Sequence, residues 1–227
     1  MKQFLLLLVL ACILSGLAIS GPCLPGTLQD YIDLGVTGCT LGAVVVSDFA
    51  LVPGQNFAIP INPSTIQVSP AGGFLSRLDL FFDAGAQAGD LLESFFRFSA
   101  SGTGLYTTGV KLAGAGATGD GVVTSTMDTC AGGSFLGDQP FGCSGTADTA
   151  VTIKTSQFSF PYDSRTFAPT SFFDVFVDVT IDGGLTGSAS LGRSSVLIGA
   201  VPEPSQVLLL LSGLASLVFA RMCKFRK

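Results

Sequence analysis

Carboxylates are the main groups in this sequence that could act on a substrate, because the 227-residue chain contains no histidine. Its absence excludes Ser-His-Asp and Cys-His nucleophile systems and imidazole metal sites. Two aspartate pairs have a spacing of interest for glycosidase chemistry, Asp174 with Asp178 and Asp79 with Asp83. Residues four apart on one strand lie about 13 Å apart, too far for either glycosidase geometry. We therefore interpret these aspartates as residues of a solvated face or a loop.

Two further sequence patterns suggest ion or phosphate binding, and both have a simpler interpretation. Asp182-Gly183-Gly184 and Asp120-Gly121 could contribute calcium ligands, but Asp-Gly is typical of turns and no complete calcium-loop pattern is present. The glycine-rich segment 114–119 superficially matches a phosphate-binding motif, yet no helix pattern follows it. Without His and without a Cys-x-x-Cys pair, a zinc site is also disfavoured. We expect no catalytic residue, no metal and no cofactor.

Short strands are the elements that must position these side chains. The clearest alternation lies in segment 172–181, where every second residue is apolar and the intervening positions include Asp174 and Asp178. The residues predicted to face the core are Phe173, Val175, Val177, Val179 and Ile181. The other predicted strands are 41–50, 65–68, 74–82, 91–100, 105–112, 121–128, 149–160 and 185–198, separated by Gly, Pro and Asp turns.

About nine short strands with regular turns predict an all-β fold, an antiparallel β-sandwich or jelly-roll-like domain. The 19 phenylalanines suit a core between two packed sheets. One helix is predicted over 28–34, with Thr27 as its N-cap, Asp30 three residues later and Gly35 at its end.

The N-terminus has the pattern of a secretory signal peptide over residues 1–20. Lys2 precedes an apolar stretch, and Ala18-Ile19-Ser20 gives the small-x-small cleavage pattern before Gly21. Signal peptidase is the expected processing enzyme. A first transmembrane helix is the alternative, but about 16 apolar residues fall short of the ~20 that span a bilayer.

The C-terminus combines an extended motif, an apolar run and a basic tail. Pro202 and Pro204 flank Glu203 and cannot continue a helix interior or a central strand. Segment 206–220 is the predicted transmembrane helix, short for a bilayer unless basic side chains snorkel. By the positive-inside rule, the tail 221–227 anchors that end in the cytoplasm. The residues of this cytoplasmic basic anchor are Arg221, Lys224, Arg226 and Lys227.

Charge is divided between the ends and the middle of the chain. All 16 acidic residues lie between Asp30 and Glu203, whereas five of the 11 basic residues lie outside that stretch. An acidic middle argues against nucleic acid as a partner, because phosphate binding needs a basic surface. The chain also lacks Trp, the best platform for stacking sugars.

Four of the six cysteines belong to the predicted exported domain, residues 21–200. An even number of cysteines in an oxidising compartment predicts disulfides. Closeness in sequence favours Cys23 with Cys39 and Cys130 with Cys143, and the other two pairings stay open.

Together, the Pro-Glu-Pro motif, the apolar segment and the terminal basic cluster of 201–227 resemble the PEP-CTERM sorting signal of Gram-negative bacteria. The motif residues are Val201, Pro202, Glu203, Pro204 and Ser205. Met222, Cys223 and Phe225 interrupt what is often a purer arginine run. The resemblance implies an exosortase substrate, anchored transiently in the inner membrane and finally at the cell surface or outside the cell. It also implies an exopolysaccharide or biofilm-matrix context.

Three functions compete for the exported domain. The sequence favours a non-enzymatic surface or extracellular-matrix protein with a structural or interaction role. A glycan-binding β-sandwich module is the alternative, and it needs a groove lined by Tyr31, Tyr106, Tyr162 or exposed phenylalanines. A carboxylate-based hydrolase is third, and it needs two carboxylates within about 5–10 Å in a deep pocket.

Overall fold

The chain forms an antiparallel β-sandwich, as the strand pattern predicts. The computed structural model describes residues 20–54, 57–73 and 75–201. Its strands are β1 (Gly26–Thr27), β2 (Cys39–Leu41), β3 (Val44–Leu51), β4 (Ile59–Pro60), β5 (Gln67–Ala71), β6 (Leu75–Gln87), β7 (Leu91–Thr118), β8 (Val122–Ala131), β9 (Thr146–Thr155), β10 (Ser159–Phe160), β11 (Tyr162–Asp182) and β12 (Ser188–Ala200). Helix α1 (Leu28–Asp33) and a 3₁₀ turn (Gly35–Thr37) complete the described elements.

Two long strands belong to both layers of the sandwich. Sheet I contains β1, β5, β6, β12, residues 105–118 of β7 and residues 162–166 of β11. Sheet II contains β2, β3, β4, residues 91–101 of β7, residues 172–182 of β11, β8, β9 and β10. The register of β11 against β7 shifts between Thr166 and Phe172, where the two strands pass from one sheet to the other.

The core lies between these sheets and confirms the predicted alternation. Phe173, Val175, Val177, Val179 and Ile181 are all fully buried. Hydroxyl pairs also cross the core, with Thr108 Oγ1 2.9 Å from Thr129 Oγ1 and Ser125 Oγ 3.0 Å from Ser194 Oγ. Because a buried hydroxyl without a partner is costly, these pairs favour one alignment of the two sheets.

Helix α1 closes one edge of the core, one residue shorter than predicted. Its capping box is present: the Asp30 N–H donates to Thr27 Oγ1 at 3.2 Å, and the Thr27 N–H donates to Asp30 Oδ2 at 2.7 Å. Tyr31 is buried, its ring edge meets Phe49 at 5.4 Å between centroids, and its hydroxyl donates to the Leu24 carbonyl at 2.9 Å. The capping hydrogen bonds and the packing of Tyr31 together hold the helix against the core.

No helix within the described residues is long and apolar enough to cross a bilayer. The predicted span 206–220 lies outside the described residues, as do residues 1–19 of the predicted signal peptide.

Candidate functional site

A disulfide-closed loop covers part of the outer face of sheet II. The cysteine pairs are those favoured from spacing, Cys23–Cys39 and Cys130–Cys143, and the second one holds the loop 132–145. Under this loop, the Phe176 ring is fully buried and lies 5.1 Å from the Phe135 ring. Asp174 is also buried and accepts the Phe135 N–H at 3.0 Å. The interpretation of Asp174 as a solvated residue is therefore wrong, because a long-range loop shields its side of the strand.

Beyond the loop, three carboxylates from three strands share the same outer face. In the strand register, Asp178 of β11 lies opposite Phe95 of β7 on one side and Thr126 of β8 on the other. Glu93 and Asp128 are thus its diagonal neighbours, and diagonal pairs lie about 7–8 Å apart. The structure therefore brings together carboxylates that lie far apart in sequence, whereas Asp174 and Asp178 remain separated along one strand.

Burial raises the pKa of Asp178 to about 6, and the nearby Glu93 and Asp128 carboxylates add to the rise. The Thr180 hydroxyl, which donates to Asp178 Oδ1 at 3.2 Å, acts in the opposite direction. Burial also raises the pKa of Asp128, whose carboxylate accepts a hydrogen bond from Thr149 Oγ1. Ionising Asp178 and Asp128 on this face is therefore less favourable than ionising a solvent-exposed aspartate.

Two adjoining cavities open beside these carboxylates. The larger has a volume of about 590 Å³ and the smaller about 260 Å³. Pro53, Gly54, Glu93 and Phe95 line both cavities, so the two are adjacent, and together they are here called the acidic groove. Leu51, Val52, Ala58, Pro60, Ile61, Asn62, Pro63 and Ser94 line only the larger cavity, and Thr126, Asp128, Gln139, Pro140, Phe141 and Asp178 line only the smaller one.

The groove combines hydrogen-bond acceptors with an exposed aromatic ring. Phe141 is 73% exposed at the wall that the loop 132–145 provides. Ser94 lies opposite the core residue Val179, so its buried hydroxyl faces the core rather than the groove. Gln139 Nε2 donates to the Pro53 carbonyl at 3.4 Å, which joins the two walls. Such a surface suits a polar ligand with an apolar face.

The three tyrosines proposed from sequence do not form this site. Tyr31 is buried beneath α1, Tyr162 is half-exposed at the start of β11, and Tyr106 lies on β7. None of them lines the acidic groove, whose rings come from Phe95 and Phe141. The sequence does contain these phenylalanines, but nothing local in it distinguishes them from core residues.

The remaining aspartates singled out from sequence are structural. Asp79 is buried rather than solvated and pairs with Arg77 at 3.0 Å, while Asp83 is exposed. Asp120 accepts the backbone N–H groups of Thr186 and Leu185, which hold its pKa below the usual value. Asp182 accepts the Gly184 N–H at 2.8 Å, the hydrogen bond of a turn. Nowhere in the described ranges do three potential metal ligands cluster.

Few residues of the predicted processing signals are described. The Gly21 carbonyl accepts the Thr40 N–H at 2.8 Å, and the Ser20 carbonyl accepts Thr40 Oγ1 at 3.0 Å. At the other end, the Val201 N–H donates to the Gly104 carbonyl at 2.8 Å. Ala18, the motif residues after Val201 and the basic tail lie outside the described residues.

Comparison with known proteins yields remote similarities only. No known family model matches the chain, and no curated protein matches it in sequence. A bacteriophage CBA120 tailspike protein 4 domain is 8% identical with a TM-score of 0.26, over 71% of this chain and 20% of that one. The chain thus spans a fifth of that protein.

Two carbohydrate-binding modules are also similar at the same level. TmCBM61, solved with β-1,4-galactotriose, is 10% identical with a TM-score of 0.24, over 62% of this chain and 90% of that one. The CBM22-1 xylan-binding domain of Paenibacillus barcinonensis Xyn10C is 11% identical with a TM-score of 0.22, over 80% and 99%. Similarities this weak carry no argument about function.

Proposed function

We propose that this protein is a non-enzymatic surface or extracellular-matrix protein, exported, anchored transiently in the inner membrane and processed by exosortase. One observation carries the proposal: Val201, Pro202-Glu203-Pro204, an apolar run and a basic tail follow in that order after the last residue of β12, Ala200. The two disulfides support it, because such bonds persist in oxidising compartments outside the cytoplasm.

The sorting proposal is tested with two variants that each remove one negative charge. Glu203→Gln should leave the protein in the membrane fraction with its C-terminal segment intact, whereas the exposed Asp33→Asn should be sorted normally. Deleting 221–227 should mislocalise the protein further. Fractionation and intact-mass analysis of the mature protein provide the readout. Normal surface delivery and an unchanged mass for both signal variants would contradict the proposal.

We also propose that the acidic groove binds a glycan within an exopolysaccharide. Its carboxylates, together with Thr126 and Gln139, offer hydrogen-bond partners for sugar hydroxyls, and the exposed Phe141 ring offers an apolar face. Phe141→Ala should weaken binding of an oligosaccharide in calorimetric titrations. Phe158→Ala, which removes a 55% exposed ring outside the groove, should leave binding unchanged.

Chromatography of the oligosaccharide used in these titrations distinguishes binding from hydrolysis. In the register, Asp178 is the diagonal neighbour of Glu93 on β7 and of Asp128 on β8, so a pair of carboxylates is available for the hydrolysis that inverting or retaining glycosidases carry out. Chromatography of the oligosaccharide after prolonged incubation should return it intact. Shortened products that disappear in Asp178→Asn would replace the binding proposal with a carboxylate hydrolase.

A further inference from the structure

Most basic side chains of the domain lie on or beside one surface, the outer face of sheet I. Six basic residues lie between Asp30 and Glu203, and two of them, Arg97 and Arg165, pair with acidic residues elsewhere. The other four are Arg77, Lys111, Lys154 and Arg193. Within the described ranges, neither of the two lysines forms an ion pair. The lysines therefore supply positive charge that no described carboxylate neutralises.

Lys111 and Arg193 both point away from the core. Lys111 is exposed and lies between Val110 and Leu112, which are buried. Arg193 precedes Ser194, whose buried hydroxyl forms one of the pairs that cross the core. Because successive side chains of a strand alternate between its two faces, both cations lie on the outer face of sheet I. The register of β12 against β7 makes them diagonal neighbours.

An aromatic ring lies on each side of this pair of cations. Phe81 of β6 is opposite Arg193, whose guanidinium carbon is 5.9 Å from the ring centroid, and Tyr162 of β11 is opposite Lys111. Both rings are partly exposed. The four side chains come from adjacent strands in the order β6, β12, β7 and β11, which span about 14 Å. These four residues are here called the cationic strip.

A buried carboxylate holds two arginines in position at the strip. Asp79 Oδ2 lies 3.0 Å from Arg77 Nη2 and 3.8 Å from Arg193 Nη1, and Asp79 Oδ1 accepts the Ser195 hydroxyl at 2.5 Å. Two partly exposed guanidinium groups thus share one negative charge. This part of the face therefore keeps a net positive charge, and its arginines are held in place before any ligand arrives.

A small cavity adjoins the strip. Its volume is about 230 Å³, and its lining includes Ala113, which is opposite Arg193 in the register, and Pro161, which precedes Tyr162. Lys154 also lines this cavity. A chain that lies across the flat sheet would therefore find a recess with a third cation next to the strip.

The acidic groove does not cancel this positive charge. The groove lies on the outer face of sheet II, and two packed sheets alone are about 10 Å apart. At physiological ionic strength, charges are screened over about 8 Å. Next to Tyr162, Asp163 pairs with Arg165 at 2.5 Å and accepts the Val151 N–H at 2.9 Å. An anionic ligand at the strip is therefore attracted by the local cations.

We infer that the cationic strip binds a carboxylated polysaccharide, such as a polyuronate. Guanidinium and ammonium groups form charge-assisted hydrogen bonds with carboxylates, so the carboxylates lie against Arg193 and Lys111. The sugar faces lie against Phe81 and Tyr162. This inference goes beyond the proposed glycan site, because the strip lies on the other sheet.

The same observations favour a polysaccharide over a second copy of this chain. In a polyuronate each sugar has both an apolar face and an exposed carboxylate, which matches a strip that combines rings with cations. In a second copy, the acidic groove would have to supply the carboxylates. Glu93 is buried there, and Asp128 and Asp178 are partly buried, so they cannot reach a flat face easily.

Calorimetric titration of the full-length chain, purified in a detergent without sugar headgroups, tests the inference near neutral pH. The probes are a galacturonate hexamer and the same hexamer with its carboxylates methyl-esterified, which keeps the sugars and removes the charge. The acid form should bind at least about tenfold more tightly than the ester. Raising the salt concentration should weaken binding of the acid form and have little effect on the ester.

Variants locate the site. Lys111→Gln removes an exposed charge and should weaken binding of the acid form about three- to fivefold, and Arg193→Gln should do the same. Tyr162→Ala should weaken both forms equally, because it removes a ring and no charge. Arg97→Gln is the matched control on the outer face of sheet II and should leave both affinities unchanged. Phe141→Ala, in the acidic groove, should leave the preference for the acid form unchanged.

The outcomes separate this inference from the other proposals. Equal affinity for the acid form and the ester, or no binding of either, overturns it and leaves the sorting and groove proposals in place. A loss in Arg97→Gln as large as that in Lys111→Gln also overturns it, because the protein would then respond to net charge. Sedimentation equilibrium without ligand tests the competing occupant: self-association that Lys111→Gln and Asp178→Asn each abolish would assign the strip to a second copy.

Discussion

The two disulfides close segments of similar length but different character. Cys23 and Cys39 are 16 residues apart and bracket α1, whose Leu28 and Tyr31 pack into the main core. Cys130 and Cys143 are 13 residues apart and bracket a loop without helix or strand. That loop packs onto a separate small cluster on the outer face, formed by Val52, Cys130, Phe135 and Phe176.

The contrast shows that a disulfide can contribute to the stability of the whole domain or to the conformation of one loop. The first disulfide fixes a helix whose apolar side chains belong to the main core, so its loss should lower the free energy of unfolding of the whole domain. The second disulfide holds a loop whose own contacts are mostly local. This loop carries Phe141, which forms one wall of the acidic groove. The predictions below separate these two roles.

Removing the first disulfide should give the largest loss of global stability. For Cys23→Ala with Cys39→Ala, the loop-entropy model gives about 3 kcal/mol for a loop of this length. At about 2–4 °C per kcal/mol for a domain of this size, the melting temperature should fall by roughly 6–12 °C. Calorimetry of the double variant measures it. A domain that melts at the wild-type temperature would contradict the assignment of a global role.

Removing the second disulfide should give a smaller loss of global stability and a larger local effect. In Cys130→Ala with Cys143→Ala, the loop 132–145 can detach while the two sheets stay packed, so the melting temperature should fall by less than in the first variant. Limited proteolysis should cut within 132–145, and binding of an oligosaccharide in the groove should be lost. Equal melting losses in the two variants without loop cleavage would show that the loop is integral to the core.

Two variants that each remove one hydroxyl group test the same contrast, with smaller expected losses of stability. Thr27→Ala removes the N-cap of α1 and should cost about 1 kcal/mol of global stability. Ser144→Ala removes the Oγ that accepts the Ser134 N–H at 3.0 Å and donates to the Ser134 carbonyl at 3.1 Å. It should leave the melting temperature nearly unchanged and increase proteolysis of the loop. The opposite ranking of the two melting temperatures would contradict the comparison.

The smallest expected effect is a stabilisation by Asp178→Asn that depends on pH. The pKa of Asp178 is about 6 in the folded chain and 3.8 in its unperturbed state, so the folded chain binds the proton more tightly. The contribution of Asp178 to stability is therefore greatest below pH 3.8, falls as pH rises toward 6 and stays at the lower level above it. Because solvent screens this partly exposed group, we expect a gain of about 1 kcal/mol or less at neutral pH.

The control for this variant is a carboxylate outside the groove. Melting curves of Asp178→Asn and Asp33→Asn should coincide in acid, and only the first should exceed the wild type at neutral pH. A stabilisation that is independent of pH would show that the charge of Asp178 is not its cause.

Local patterns in the sequence predicted the features that depend on local physics. The period-2 alternation gave the core face of β11, the Thr27–Asp30 spacing gave the capped helix, and closeness in sequence favoured the observed disulfides. Strand length was harder to predict, because segments 91–100 and 105–112 are parts of one strand, β7. Gly102 and Gly104 resemble a turn in sequence but here allow a bend, with φ +65° at Gly104.

The groove could not be predicted because it depends on which strands are neighbours. Alternation places Asp174 and Asp178 on one face but does not say what covers that face. The loop 132–145 buries Asp174, whereas Asp178 lies in the groove among carboxylates from β7 and β8. Both outcomes follow from contacts between residues that are distant in the chain. The alternation of apolar residues along one strand contains no information about such contacts.

The position of β12 determines how the domain withstands a pull on its C-terminal end. This strand lies between β6 and β7 in sheet I, and it is hydrogen-bonded to both along most of its length. A pull applied to Val201 along the axis of β12 would therefore load two ladders in shear, so that many hydrogen bonds would resist together. A central strand loaded in this way resists force better than an edge strand, which has a single ladder.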